Sequence, residues 1–122
     1  MAETFLLFKE PQLSSESVIE ERQAVSDVFK KFKETTPLVH CITNYVAMNI
    51  SANVLLAAGA SPAMIHTSEE TPDFAKIVGS LTVNIGTLSP HWVEGMKEAI
   101  TAAIAANVPW VFDPVAHFAT PY

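Results

Sequence analysis

From Ser14 to Thr36 apolar positions recur at helical spacing, Val18, Val25, Phe29 and Phe32, while the intervening "EER" and "KKFK" runs carry the charge. That periodicity predicts an amphipathic helix whose apolar face must lie on something. Ser17, with Glu20 three residues on, has the form of a capping box at its start. After Pro37 the period changes. The short aliphatic run "LVHCI" predicts a strand, the polar "TN" follows, and "YVAMNISANVLLAAG" reads as a helix with Gly59 suited to the left-handed position past its end. The plan then repeats: "PAMI" predicts a second strand, "HTSEET" a loop, and "PDFAKIV" a short helix with Thr71 as N-cap, Pro72 at its first position and Gly79 at its end. "LTVNI" predicts the third strand and "GTLS" its loop. "PHWVEGMKEAITAAIAAN" predicts a helix with Val93, Met96, Ile100 and Ile104 on one face, and the fourth strand, "VPWVF", delivers Asp113.

Four short, nearly continuous apolar strands separated by helices are the signature of βαβ units in a parallel sheet buried on both faces. The fold class is therefore α/β, a parallel sheet with right-handed βαβ crossovers. No internal linker or low-complexity run interrupts it, so residues 1–13 read as an N-terminal tail and 14–122 as one domain.

Composition supports a packed domain: 49% of the 122 residues are hydrophobic and 16% charged, apolar material enough for a core. Thirteen acids against seven bases give a formal charge of −6, the opposite of the clustered basic footprint that nucleic acid requires. Cys41 is the one cysteine; an intrachain disulfide is impossible and a reducing compartment fits. "FLLF" is too short for a signal-peptide core, and Val46 to Ala58 is too short to cross a bilayer. The expectation is a soluble, cytoplasmic protein without a membrane partner.

Ligands of open parallel sheets bind outside the carboxyl ends of the strands. Those exits carry Thr43 and Asn44, then Met64, His66 and Thr67, then Asn84, Gly86 and Thr87, and finally Asp113. Helix capping would account for Thr43, Thr67 and Ser89. Gly86 allows close approach of backbone to a ligand, or simply a tight turn. Asp113, before Pro114, suits a cation ligand, an orienting acceptor or a turn cap. His40 and Cys41 point to opposite faces of a strand and form no nucleophile–base pair. His91 reads as solvated, Glu69, Glu70 and Asp73 as favourable charge at a helix N-terminus, and Met48, Met64 and Met96 as core packing by spacing alone. No P-loop, paired-cysteine, zinc-helix or nucleophile-elbow motif occurs.

The blocks "PLVHCITNYVAMNISANVLLAAGASPAMIH", "EE", "NIGTLS", "DPV" and "ATPY" stand in the order and spacing of the hydroxyethylthiazole kinase family, which the chain resembles over about seventy per cent of its length, from Pro37 on. The resemblance implies the N-terminal part of a ribokinase-like fold. It also implies ATP-dependent phosphorylation of 4-methyl-5-(2-hydroxyethyl)thiazole in thiamine salvage, with Mg²⁺, by a homotrimer with sites between subunits. By the same resemblance Met64 is the thiazole-contacting methionine, Asn44 a polar residue beside the pocket, Gly86 part of a loop near the site, and Asp113 an acid on the phosphate and magnesium side. A polarizable methionine suits a flat sulfur-containing ring, and a carboxylate on the metal side suits phosphoryl transfer.

Two departures accompany the likeness. Where the family runs Gly-Ala-Gly-Ala-Thr after "DPV", this sequence has Ala116, His117, Phe118, Ala119 and Thr120, and bulky His117 and Phe118 are unfavourable for close approach to a phosphate. The family's basic nucleotide-contacting residue, further strands and the Gly-rich helix N-terminus with the catalytic base would follow Tyr122. The expectation is therefore a chain inactive alone, with a non-catalytic subunit that docks with or inhibits the full-length enzyme as the alternative.

Overall fold

The structure, a computed structural model, describes residues 14–115. The chain divides into two compact units, residues 1–31 and 32–122. The expected boundary between tail and domain, at residue 13, falls at the edge of what is described. The elements run α1 (Ser15–Thr35), β1 (Leu38–Ile42), α2 (Tyr45–Ala58), β2 (Ser61–Ala63), α3 (Thr71–Phe74), β3 (Ser80–Asn84), α4 (Pro90–Ala105) and β4 (Trp110–Asp113).

The first unit holds most of α1. Its cap differs from the expected one: Ser14 Oγ accepts from the Ser17 amide at 3.2 Å, and Ser17 Oγ donates back to the Ser14 carbonyl at 2.8 Å. The helix thus begins three residues earlier than a Ser17–Glu20 box would start it, because Ser14 is the first hydroxyl able to take an orphan amide of the first turn.

In the second unit all four strands pair in parallel, in the order β2-β1-β3-β4. β1 is buried along Val39–Ile42 on both of its faces, as its unbroken apolar run requires. Its two sets of side chains feed two cores. Ile42 joins Leu81, Val83, Ala75, Trp92, Met96 and Ala99 on the α3–α4 side; Val39 and Cys41 join Ala60, with Phe32, Leu55 and Met64 against them, on the α2 side. The helices after β1 and β3 therefore leave toward opposite faces, and the point where the connections diverge lies between the neighbouring ends of β1 and β3.

One local expectation holds and two shift. Gly59 does close α2 in the left-handed region, at φ 102°, with its own amide and that of Ala60 returning to Leu56 and Leu55. α3 is a single turn, Thr71–Phe74, whose N-cap is Glu70 without a side-chain bond, and Thr71 is buried within it. α4 turns its expected face to the core only in part: Met96 is buried and Ile100 packs against the core, Ile104 stays exposed, and Trp92, Gly95, Ala99, Ala102 and Ala103 complete the buried side. Small residues at Gly95, Ala99, Ala102 and Ala103 permit a close approach of the helix to the core. At Gly95 an added Cβ would collide with the His66 carbonyl.

Candidate functional site

Asn44, in the polar exit of β1, is the N-cap of α2: its Oδ1 accepts from the Ala47 amide at 2.9 Å. Capping fixes the amide's orientation, since a backbone N–H only donates, and so Asn44 Nδ2 faces outward as a donor. It donates to Asn84 Oδ1, 3.0 Å away at the end of β3. That same oxygen accepts from the Gly86 amide at 3.0 Å. Asn84 Nδ2 in turn donates to Asp113 Oδ2 at 2.7 Å, and Asp113 Oδ1 accepts from the Val115 amide at 3.0 Å. Three strand exits, β1, β3 and β4, are thus joined by one directional series of hydrogen bonds with a backbone donor at each end.

Gly86 is required by space. A Cβ there would lie 2.8 Å from Asn44 Nδ2 and 3.1 Å from Asn84 Oδ1. Beside it Thr87 sits at φ 54°, and Val115 past β4 at φ 50°. Left-handed backbone at a β-branched residue costs on the order of 1–3 kcal/mol and clusters at sites of function. The strand-exit rule places ligands where the connections diverge, and the Asn44–Asn84 bond stands at that point.

The remaining exit residues form a second group. Met64 follows β2 and is partly buried against Val39, Cys41 and Ala60. His66 stacks on Trp92, rings 4.0 Å apart and 10° from parallel, and Tyr45 meets Trp92 edge-on at 4.4 Å. No bond links Met64 to the Asn44–Asn84–Asp113 series among the described residues. On the α2 side of the sheet a groove of about 620 Å³ runs along Val39, Cys41, Thr43 and Thr82 toward Asn84 and Asp113, with Ile50 and Val54 of α2 on its wall.

Cys41 is buried, and burial pushes its thiol up to about 11; it is a packing residue rather than a nucleophile. His40, on the opposite face, is wholly buried. Burial pulls its imidazole below the ordinary value, opposed by a hydrogen bond to the Ile65 backbone.

Asp113 is a single carboxylate with one lone pair of each oxygen already in use. Among the described residues no three His, Cys, Asp or Glu side chains stand close enough to hold a metal ion. From residue 34 on, two lysines, Lys76 and Lys97, face seven acids, and Lys76 is bonded to Asp73 at 2.9 Å. The donors at the described strand exits are thus neutral amides beside the one carboxylate of Asp113, a set that suits a neutral ligand and makes no triphosphate cradle by itself. His117 and Phe118 lie outside the described residues. Asn84 stands at a strand exit with no role legible in the sequence, because its centrality depends on β1 and β3 being neighbours.

The model of the hydroxyethylthiazole kinase family matches residues 29–122. A hydroxyethylthiazole kinase of Rhizobium johnstonii is 62% identical over 95 residues, 78% of this chain and 36% of that protein. One from Gemmatimonas aurantiaca is 57% identical over 101 residues, 83% of this chain and 36% of its own. Among solved structures, the hydroxyethylthiazole kinase protein of Pyrococcus horikoshii OT3 superposes with a TM-score of 0.74 at 42% identity, over 76% of this chain and 37% of that one. The chain thus spans little more than a third of the length of the relatives it matches. Its strand order, divergent connections and exit residues are those of an α/β domain whose sequence carries the family's pattern over most of its length: the chain belongs to the hydroxyethylthiazole kinase family.

Proposed function

We propose that these residues form the alcohol-binding side of a kinase that transfers the ATP γ-phosphoryl group to the hydroxyethyl group of 4-methyl-5-(2-hydroxyethyl)thiazole. The observation that carries this reading is the Asn44–Asn84–Asp113 series, with Gly86 pressed against it, at the divergence point of the sheet. Met64 offers a polarizable surface to the thiazole ring. Asn44 and Asn84 each keep one Nδ2 hydrogen uncommitted, able to orient a ring nitrogen or the alcohol oxygen. Asp113, held by Asn84 and the Val115 amide, presents fixed negative charge beside the alcohol, where it orients a donor. When bound, Mg²⁺ and ATP supply the phosphoryl group and the charge neutralisation that transfer demands; this reading assigns neither to the described residues.

Titration of the 122-residue protein with the thiazole alcohol tests the assignment. Saturable binding is expected, weakened about tenfold, or ~1.4 kcal/mol, by Met64→Ala. A folded protein that ignores the ligand, or binds it equally well without Met64, sinks the reading. The same protein given ATP and Mg²⁺ is expected to release no thiazole-dependent ADP, because no described strand exit carries a lysine or arginine to hold a phosphate.

A second reading is favoured by the exposed apolar wall of β4 and the groove beside it: a non-catalytic subunit that docks with the full-length enzyme, whose family implies trimers. Val111 is 67% exposed and Phe112 47%. Co-purification with a full-length family member supports that reading, and a monodisperse protein indifferent to such an enzyme removes it.

A further inference from the structure

The β2 ladder ends at Ala63, yet the proposed substrate residue is the next one, Met64. Beyond the ladder the segment is held from the side. His40 Nε2 lies 2.7 Å from the Ile65 carbonyl oxygen, and a carbonyl only accepts, so the imidazole carries its proton on Nε2 and donates it there. His40 is wholly buried on β1, its ring edge-on to Phe74 at 5.1 Å, and its Nδ1 has no partner among the described residues. One residue further on, His66 is sandwiched by its stack on Trp92 and by the Gly95 notch of α4 against its carbonyl. A buried imidazole is an expensive group to keep for packing alone: a phenyl ring would fill the same space without stranding a nitrogen.

We propose that His40 is a positioning residue for substrate binding: its Nε2–H fixes the Ile65 carbonyl and thereby sets where Met64 presents its thioether. This rests on the assignment of Met64 to the thiazole ring. The preceding Ala63 is paired to His40 itself in the ladder, so one β1 residue controls the strand through its backbone and the strand's exit through its side chain. The contact lies on the α3 side of the sheet, opposite the groove, and it can act on a ligand only through the 64–66 segment.

Nuclear magnetic resonance of the 122-residue protein tests this with three variants. The wild-type His40 ring is expected as the Nε2–H tautomer. His40→Phe, which fills the space and removes the donor, is expected to displace or broaden the Met64 methyl signal and weaken the thiazole alcohol about tenfold. His40→Gln, which keeps an N–H, is expected to restore both to within about threefold of wild type. Phe74→Leu, which alters the packing and leaves the donor, is expected to move neither. An Nδ1–H tautomer, an undisturbed Met64 signal in His40→Phe, or an equal disturbance in Phe74→Leu overturns the proposal. If His40→Phe does not fold, the tautomer and the behaviour of His40→Gln against Phe74→Leu decide it. A wild-type Met64 signal blind to the thiazole alcohol, with His40→Phe still displacing it, defeats the substrate assignment and leaves the positioning role standing.

Discussion

Gly86 has no side chain because the space for one is taken by the Asn44 and Asn84 amides. Gly86→Ala is expected to part the 3.0 Å Asn44–Asn84 bond and cost about 1–2 kcal/mol, read as a lower denaturation midpoint with an unchanged slope. Asn44, Gly86 and Asp113 were legible because each stands at a strand exit with a residue type that caps, turns or accepts. Asn84 was not. Its role needs β3 to lie between β1 and β4, and nothing local in "TVNIG" reports which strands flank it. The adjacency of His40 and Cys41 was legible as a division between faces, and the structure gives the division its chemistry: a donor on one side, an inert thiol on the other. Folded His40 holds its proton less tightly than the unfolded chain does. Below the ordinary histidine value of 6.5 the unfolded state therefore binds more protons, and the stability this residue contributes is lost as pH falls.

At the scale of elements, α4 shows what periodicity omits. Aliphatic spacing selects Val93, Met96, Ile100 and Ile104, a face that meets the buried one only at Met96 and Ile100. The face that packs is the one built from Gly95, Ala99, Ala102 and Ala103 around Trp92 and Met96, since contact with the sheet is limited by how near the helix axis can come. Hydrophobicity counts side-chain carbon; packing rewards its absence where backbone meets backbone. Gly95→Ala is accordingly expected to destabilise by about 1–3 kcal/mol through overpacking and to shift the His66 loop, visible as loss of the ring-current shift that Trp92 imposes on the His66 ring. The four strands and their order of appearance were readable from runs of apolar residues. The bounds of β1 stand where its apolar run puts them, and those of the other three moved by one or two positions because ladder bonds, not hydropathy, end a strand.

At the scale of the whole sheet, β4 is the exposed margin. Among the described residues it pairs with β3 alone, and Trp110, Val111 and Phe112 are all exposed. A free apolar edge next to a groove invites association. The 122-residue protein is expected to self-associate with rising concentration in sedimentation, and Val111→Lys to suppress it; concentration-independent behaviour would show the edge to be covered in solution. The Asn44–Asn84–Asp113 series crosses the same sheet and carries a thermodynamic obligation. Each amide in it gives to one neighbour what it takes from the other, and it ends in the first turn of α2. A ligand that claims the Asp113 oxygen frees an Asn84 hydrogen and alters what Asn44 has to offer. Occupancy at the β4 exit and occupancy at the β1 exit are then linked functions, and whatever factor the first imposes on the second, the second must return.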